Sequence, residues 1–295
     1  MKQDYWTYNK PLSLTGLGGG ATSLLFPSGP TIKPSFTAAE HYYDEGTDPN
    51  TDDVTINVNT NSNANETWAD IPVVTTSGKR LFVIVATLRD STYETDYWTT
   101  KFSNSQLELE LKYNSTTTAL TYRNVFAGTS YNSTSIWTAI ADGATSSTDD
   151  YSIRFHSTNN DTHGNFAFSG IVIEDVNTIE YFNIASLGFS GTNGQTVTSA
   201  LNLAPNNTTS ATKVLRIAAS NASNIASNVI DYNKGGSEPS YTQIGEGDNG
   251  TDERHHHSYH FGDHGTQVNM TGTFGDSTTA ANNGISGLGA IIGLS

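Results

Sequence analysis

"TTSGKRLFVIVATL", Thr75 to Leu88, holds the run that decides the fold. From Leu81 onward it has no charge, no Gly and no Pro and is rich in β-branched side chains, which is how a strand buried on both faces in mid-sheet reads. "LELELKY" (Leu107 to Tyr113) alternates strictly and should bury one face only. After it, "NSTTT" reads as a hairpin loop and "ALTYRNVF" (Ala119 to Phe126) as the strand returning beside it. "TSIWTAI", "YSIRFHS" and "NFAFSGIVIEDV" follow at turn-separated intervals. Apolar residues seldom recur at i, i+3 and i+4, and Gly, Asn and Thr interrupt the windows where they do. The pattern is all-β, with antiparallel sandwiches of jelly-roll type.

The opening run has a partner. "TTSGKRLFVIVAT" resembles "TTSATKVLRIAAS" from Thr208, 133 positions later, and "LELKYN" (from Leu109) resembles "NVIDYN" (from Asn228). "YSIRFHS" overlays "VNMTGTF" (from Val268), and "SGIVIE" (from Ser169) overlays "SGLGAII" (from Ser286). The offsets shrink in order along the chain, so the sequence divides into a first sandwich at 46–178 and a diverged copy at 179–295. The first 45 residues differ: "GLGGGATSLLFPSGPTIKP" is Gly- and Pro-rich and reads as an extended arm. A frayed tail would share that composition. The apolar groups of Tyr5, Trp6, Leu24, Leu25 and Phe26 favour an anchor covered by a neighbouring subunit.

In the repeat register "TSIWTAI ADG" falls opposite "HHSYHF GDHG", inside "DERHHHSYHFGDH" (Asp252 to His264), which holds five of the eight histidines. This is therefore a core strand, with Asp263 to Gly265 in a following hairpin turn. Alternation puts His255, His257, Tyr259 and Phe261 on one face and His256, Ser258 and His260 on the other. Tyr259 and Phe261 should point inward, one histidine set lying near the rim of the core and the other facing solvent or a partner subunit. Imidazoles two apart on a strand project the same way, so His255 with His257, or His256 with His260, could share a transition metal, with three copies meeting on an axis completing an octahedral site. The simpler reading is polar strand residues bonded to backbone or water; a pH-responsive interface is a third.

Composition narrows the function classes. A chain of 295 residues has room for one large domain or two of roughly 100–150 residues. Charged residues make up 15%, below the ~25% usual for soluble domains. A net charge of −15 with 14 Lys and Arg argues against nucleic acid and anionic membranes. No cysteine is present, so no disulfide or thiolate site holds the fold. "MKQDYWTYNKPLSLTG" lacks a signal peptide's apolar run, and no stretch reaches the ~20 apolar residues of a membrane span. Synthesis in a host cytoplasm and release within a virus particle reconcile that start with a Thr- and Asn-rich composition. Sequons such as those at Asn114 and Asn132 are then expected to stay bare.

Other motifs carry less. Asp48, Asn50 and Asp52 open like a calcium loop, but Asp53 stands where Gly belongs and Asn59 where the bidentate Glu belongs, leaving only a looser Ca2+ site. "GEGDNG" (from Gly245) has dinucleotide-loop spacing but is followed by acids and histidines, and "GLGGGA" (from Gly16) by Pro27 and Pro30. Glu108 and Glu110 share one strand face, as a glycosidase pair would, though solvent-facing positions explain them more simply.

"LTGLGGGATSLLF", "SGKRLFVIVATL", "SIWTAI" and "NFAFSGIVIEDV" together resemble structural proteins of tailed bacteriophages, marine phages in particular. The resemblance spans most of the chain at the level of pattern. It implies a non-enzymatic virion component: a tail fibre or related adhesin, with a capsid decoration or head-fibre protein as the alternative. A lectin-like module that binds or cleaves glycan is the third reading. The expected partners are further copies of the chain, as a trimer, other virion proteins through the arm, and a host surface glycan. Tyr97, Trp98 and Tyr131, in apparent loops, are the candidate glycan contacts.

Overall fold

The computed structural model describes residues 29–32, 36–41, 69–71, 79–89, 107–113, 116–127, 132–141, 151–157, 165–189, 195–196, 199–207, 209–223, 231–248, 253–265, 268–275, 280–281 and 285–295. All of these lie in strands, turns or irregular connections, and the protein is all-β. The first half supplies β1 (Thr31–Ile32), β2 (Phe36–His41), β3 (Ala69–Ile71), β4 (Arg80–Arg89), β5 (Leu107–Tyr113), β6 (Thr116–Ala119), β7 (Thr121–Ala127), β8 (Asn132–Ala141), β9 (Tyr151–Ser157) and β10 (Asn165–Glu174). The second supplies β11 (Ile179–Phe189), β12 (Gln195–Thr196), β13 (Ser199–Ala200), β14 (Lys213–Ser223), β15 (Tyr232–Asn233), β16 (Thr242–Asp248), β17 (Glu253–Asp263), β18 (Thr273–Phe274), β19 (Ala280–Ala281) and β20 (Ile285–Leu294).

Two large antiparallel sheets dominate. One has the order β1-β10-β4-β8-β7, with β2 also pairing along β10; the other has the order β11-β20-β14-β17-β16. Each starts at an edge, places its next long strand at the centre, and returns its last strand beside that centre. The correspondence extends to register: Arg80 stands opposite Glu174 and Ala141, as Lys213 stands opposite Leu294 and Asp263. Arg80 and Lys213 are separated by the same 133 positions as Thr75 and Thr208. Edge strands β7 and β16 both carry a bulge, at Tyr122/Asn124 and Gln243/Gly245. Smaller sheets have the orders β3-β9-β5-β6, β13-β18-β15 and β12-β19.

Several expectations are corrected by these pairings. The strand returning beside β5 is β6, not the "TYRNVF" segment, which is β7 in the large sheet next to β8. The chain changes sheets at Leu120, a buried hinge whose N–H donates to Leu109 O at 2.7 Å. No hairpin follows Asp263: His264 N donates to Thr212 O, and the chain leaves for β18 in a small sheet. Within the 1–45 arm, Thr31–Ile32 and Phe36–His41 are edge strands on β10. The overlay of "SGIVIE" on "SGLGAII" is three residues out of register, since the ladders place Ser169 where Gly289 stands. A glycine-rich strand has too few side chains to fix its own alignment, and an odd slip exchanges its faces.

β4 lies at the centre of its sheet with Leu81 to Ala86 all fully buried, as its uninterrupted apolar run requires. Leu81, Val83, Val85, Ile136, Ile171 and Ile173 form one core with Leu215, Ile217, Ala219, Leu288, Ala290 and Ile292. The two large sheets therefore pack face to face, one from each half of the chain. Each such Leu, Ile or Val side chain contributes about 1.5–3 kcal/mol on full burial. By ladder register the counterparts of Leu81, Val83 and Val85 are Val214, Arg216 and Ala218, yet it is Leu215 and Ile217 that meet the first sheet. The halves stack front to back, through non-equivalent faces.

The far face of β14 and β20 carries a second core of Tyr181, Leu201, Leu203, Val214, Tyr232, Met270, Phe274 and Ile291. β20 serves both. Leu288, Ala290, Ile292 and Leu294 point to the first core, while Gly287, Gly289 and Gly293 alternate with them on the second. A Cβ at Gly289 would lie 2.5 Å from Leu201 Cδ1, and one at Gly293 2.1 Å from Tyr181 Cε1. The glycines are there so that large side chains can lie against the strand backbone. Between β10 and β11 the chain turns at Asp175 (φ 58°), and Asn177 and Thr178 N–H groups donate to Ser295 O, tying the crossover to the C-terminal residue.

Candidate functional site: a polar cleft beside the histidine strand

β17 is an inner strand with both faces covered, so its histidines are deeper than alternation alone implied. His255, His256 and His257 are all buried, and His257 is completely so. They lie neither at a rim nor in solvent, because the first sheet covers one face of β17 and the second half's own loops cover the other. The alternation itself is as expected: His257, Tyr259 and Phe261 face the inter-sheet core. His257 Nδ1 bonds Ser169 Oγ of β10 across the sheets at 2.7 Å, and the His255 and His257 ring centroids are 5.2 Å apart. Burial holds the His257 pKa well below 6.5, helped by neighbouring His255 and His256.

His256 and His260 face the other way. The His256 ring Nδ1 lies 3.1 Å from Asp231 Oδ1, outside hydrogen-bond geometry, while His260 Nδ1 donates to Ser240 O at 3.2 Å and its ring tilts against Tyr241. Burial lowers the His260 pKa, the Ser240 carbonyl opposing. Among the described residues no three His, Cys, Asp or Glu side chains come close enough to hold a metal ion.

A cleft of about 320 Å³ opens on this second face, lined by Asp231, Asn233, Lys234, Tyr241, Gln243 and His256 among others. Its wall is set by Glu238, a buried carboxylate on which four donors converge. Tyr232 and Tyr241 hydroxyls donate to Oε2 at 2.9 and 3.0 Å, and the Gly235 and Thr271 N–H groups donate to Oε1 at 2.9 and 2.6 Å. Tyr232 Oη also accepts from Gly272 N at 3.0 Å. A Cβ at Gly235 would sit 2.9 Å from Glu238 Oε1 and one at Gly272 2.4 Å from Tyr232 Cζ, so both glycines are needed for this approach. Burial raises the pKa of both phenols, with the Glu238 charge adding to it. They remain protonated donors at any physiological pH. A carboxylate accepting from two hydroxyls and two amides is a rigid anchor, stronger per bond than neutral pairs.

Sequence reasoning passed over this site. Its signal is "DYNKGGSEPSYTQ" (Asp231 to Gln243), which packs two Tyr, two acids, Asn, Gln and a Gly-Gly turn into thirteen residues. Of the predicted residues that the structure describes, only His256 lines the cleft; His255 and His257 belong to the opposite face. Tyr97, Trp98 and Tyr131, the acidic turn at 48–53, and the arm residues Tyr5, Trp6, Leu24, Leu25 and Phe26 lie outside the described residues. Glu108 and Glu110 are both on β5, paired in register with His156 and Arg154 of β9. Comparison with protein-family models, with curated proteins and with solved structures gives no match for this chain.

Proposed function

We propose that this chain is a non-enzymatic component of a phage particle, a tail fibre or related adhesin that is held by its N-terminal segment and assembles as a homo-oligomer, most simply a trimer. The observation that carries the reading is the apolar core shared between the two large sheets, Leu81 and Ile171 on one side and Ile217 and Ile292 on the other. It binds both halves of the chain into one stiff block without cysteine or a metal cluster among the described residues. Such a block suits a load-bearing appendage, and a surface rich in Ser, Thr and Asn docks to neighbours with little charge desolvation. Among the described residues the two large sheets end on β7 and β16, each carrying a bulge of the kind that discourages unspecific edge pairing.

The test is imaging of particles carrying a gold label on the C-terminus of this chain. Label at the tail tip or fibre supports the adhesin; label over the capsid shell would assign it to decoration instead, and label on no particle would overturn a virion role. Light scattering of the purified protein checks the trimer.

A further inference from the structure

The first large sheet is finished by a strand from the N-terminal segment. β1 and β2 lie end to end along β10: Ile32 stands opposite Ile173 and Phe36 opposite Gly170, so four steps along the segment match three along β10. The extra residue falls between them, around Pro34, which has no N–H to give to a ladder. A bulge holding a proline suits a strand that ends a sheet, because it resists pairing on its other side. The segment is nevertheless part of the core. Pro30 is buried, Ile32 packs against the aliphatic core shared by the two large sheets, and β2 approaches β16 of the opposite sheet. β10 needs this cover, since Ile171 and Ile173 are fully buried.

The covalent link between this strand and the rest of the chain is long. Residues 42–68 separate the end of β2 from β3. A chain of that length reaches at most about 90 Å, whereas stacked sheets lie about 10 Å apart. The link therefore lets the strand reach β10 of an adjacent copy as well as its own. A second observation concerns what could hold copies together. Among the described residues Ile140 is the only large hydrophobic side chain that is exposed. The described surface thus offers no apolar patch to a neighbour, while stable interfaces are built round an apolar centre. An exchanged strand supplies that centre, because Ile32 and an edge ladder are then buried in the neighbour.

We propose that residues 30–41 are exchanged between copies of this chain, each strand leaving its own β10 and completing the first large sheet of the next copy. The proposal rests on the homo-oligomer reading. The contacts are those already described, made between chains, so exchange sacrifices no ladder bond and costs the freedom of the subunits to separate. Head-to-tail exchange is heterologous and closes on itself as a ring, of three copies for the trimer.

The chain has no cysteine, so introduced thiols report without background. His41 and Phe166 are direct ladder partners, at the backbone spacing a disulfide needs. The full chain carrying His41→Cys and Phe166→Cys is oxidised under native conditions and run on a non-reducing denaturing gel. The expected product is a covalent ring at three times the chain mass, which reduction returns to single chains. Chains bearing His41→Cys or Phe166→Cys alone, refolded together, should cross-link to each other. With Ile140→Cys in place of Phe166→Cys the yield should fall about tenfold, since that exposed thiol meets the other only by collision. Ala38→Cys with Phe168→Cys, another pair of the same ladder, repeats the test if the first pair does not fold. A covalent dimer keeps the exchange and replaces the trimer. A bond confined to single chains, in a protein that light scattering shows to be oligomeric, overturns the exchange and leaves the oligomer standing. The same bond in a protein that stays monomeric overturns both. Failure of both pairs to bond in folded protein overturns the exchange too, because the strand then does not lie on β10.

Discussion

At the residue scale the two faces of β17 make opposite demands on neighbouring histidines. His257 is sealed between the sheets with Ser169 as its partner and must stay neutral there. Its folded pKa lies well below the 6.5 of a free imidazole, so between those values the unfolded chain takes up a proton that the folded chain refuses. Stability is therefore full above about pH 6.5 and falls as the pH drops, by about 1.4 kcal/mol per pH unit for one such site. His260, lowered in the same direction, adds to the slope. Denaturant titrations at pH 7.5 and 5.0 should reveal this loss, and His257→Gln should flatten it; an unchanged slope would place the uptake elsewhere. Ser169→Ala leaves a buried ring nitrogen unbonded and is expected to cost about 1–3 kcal/mol at pH 7.5. Glu238→Gln differs in kind. The amide presents its own N–H donors to donors that do not move, so a loss of about 2–3 kcal/mol is expected, with the phenol fluorescence of Tyr232 and Tyr241 changed in the folded state.

At the element scale, β20 explains itself by what its glycines touch. Gly289→Val would drive a side chain into Leu201 and the Met270 tip, and overpacking of this kind costs about 1–3 kcal/mol or more. Gly236→Ala, in a turn with open space around it, should leave the melting temperature within about a degree. Measuring both separates a packing role from a generic dislike of substitution. The central strands were legible because their information is local: the run at Leu81 can sit only where both faces are covered, and Tyr259 and Phe261 set the facing of β17. The glycine strand was harder to read. "GLGAIIGL" is meaningful only against Leu201, Tyr181 and Phe274, which are remote in sequence, and its register slipped by three for that reason. The cleft is remote for the same cause, since Glu238 takes donors from Tyr232 and Tyr241 nearby but also from Thr271, thirty-three residues on. Local pattern identifies strands; it does not say which loop a buried carboxylate will meet.

For the whole molecule, the decisive feature is that neither large sheet is finished without the other. A second half expressed alone, 179–295, would present Leu215, Ile217, Leu288 and Ile292 to water on one broad sheet face, together with the unsatisfied His257. Apolar faces of that extent do not persist on soluble monomers. The fragment is therefore expected to aggregate or to bind hydrophobic dye, whereas independent tandem units would each stay monomeric. In the full chain the same contact should couple the halves, so tryptophan fluorescence, whose four sources including the buried Trp137 all precede residue 178, and exchange of β14 and β20 amides in the second half should lose structure at one common denaturant concentration. A substitution that weakens only the seam, Ile217→Ala, should cost about 2–5 kcal/mol and move both probes together. Two separated transitions in the native chain would mean that the seam is too weak to join them, and the stiff block proposed for the appendage would reduce to two linked beads.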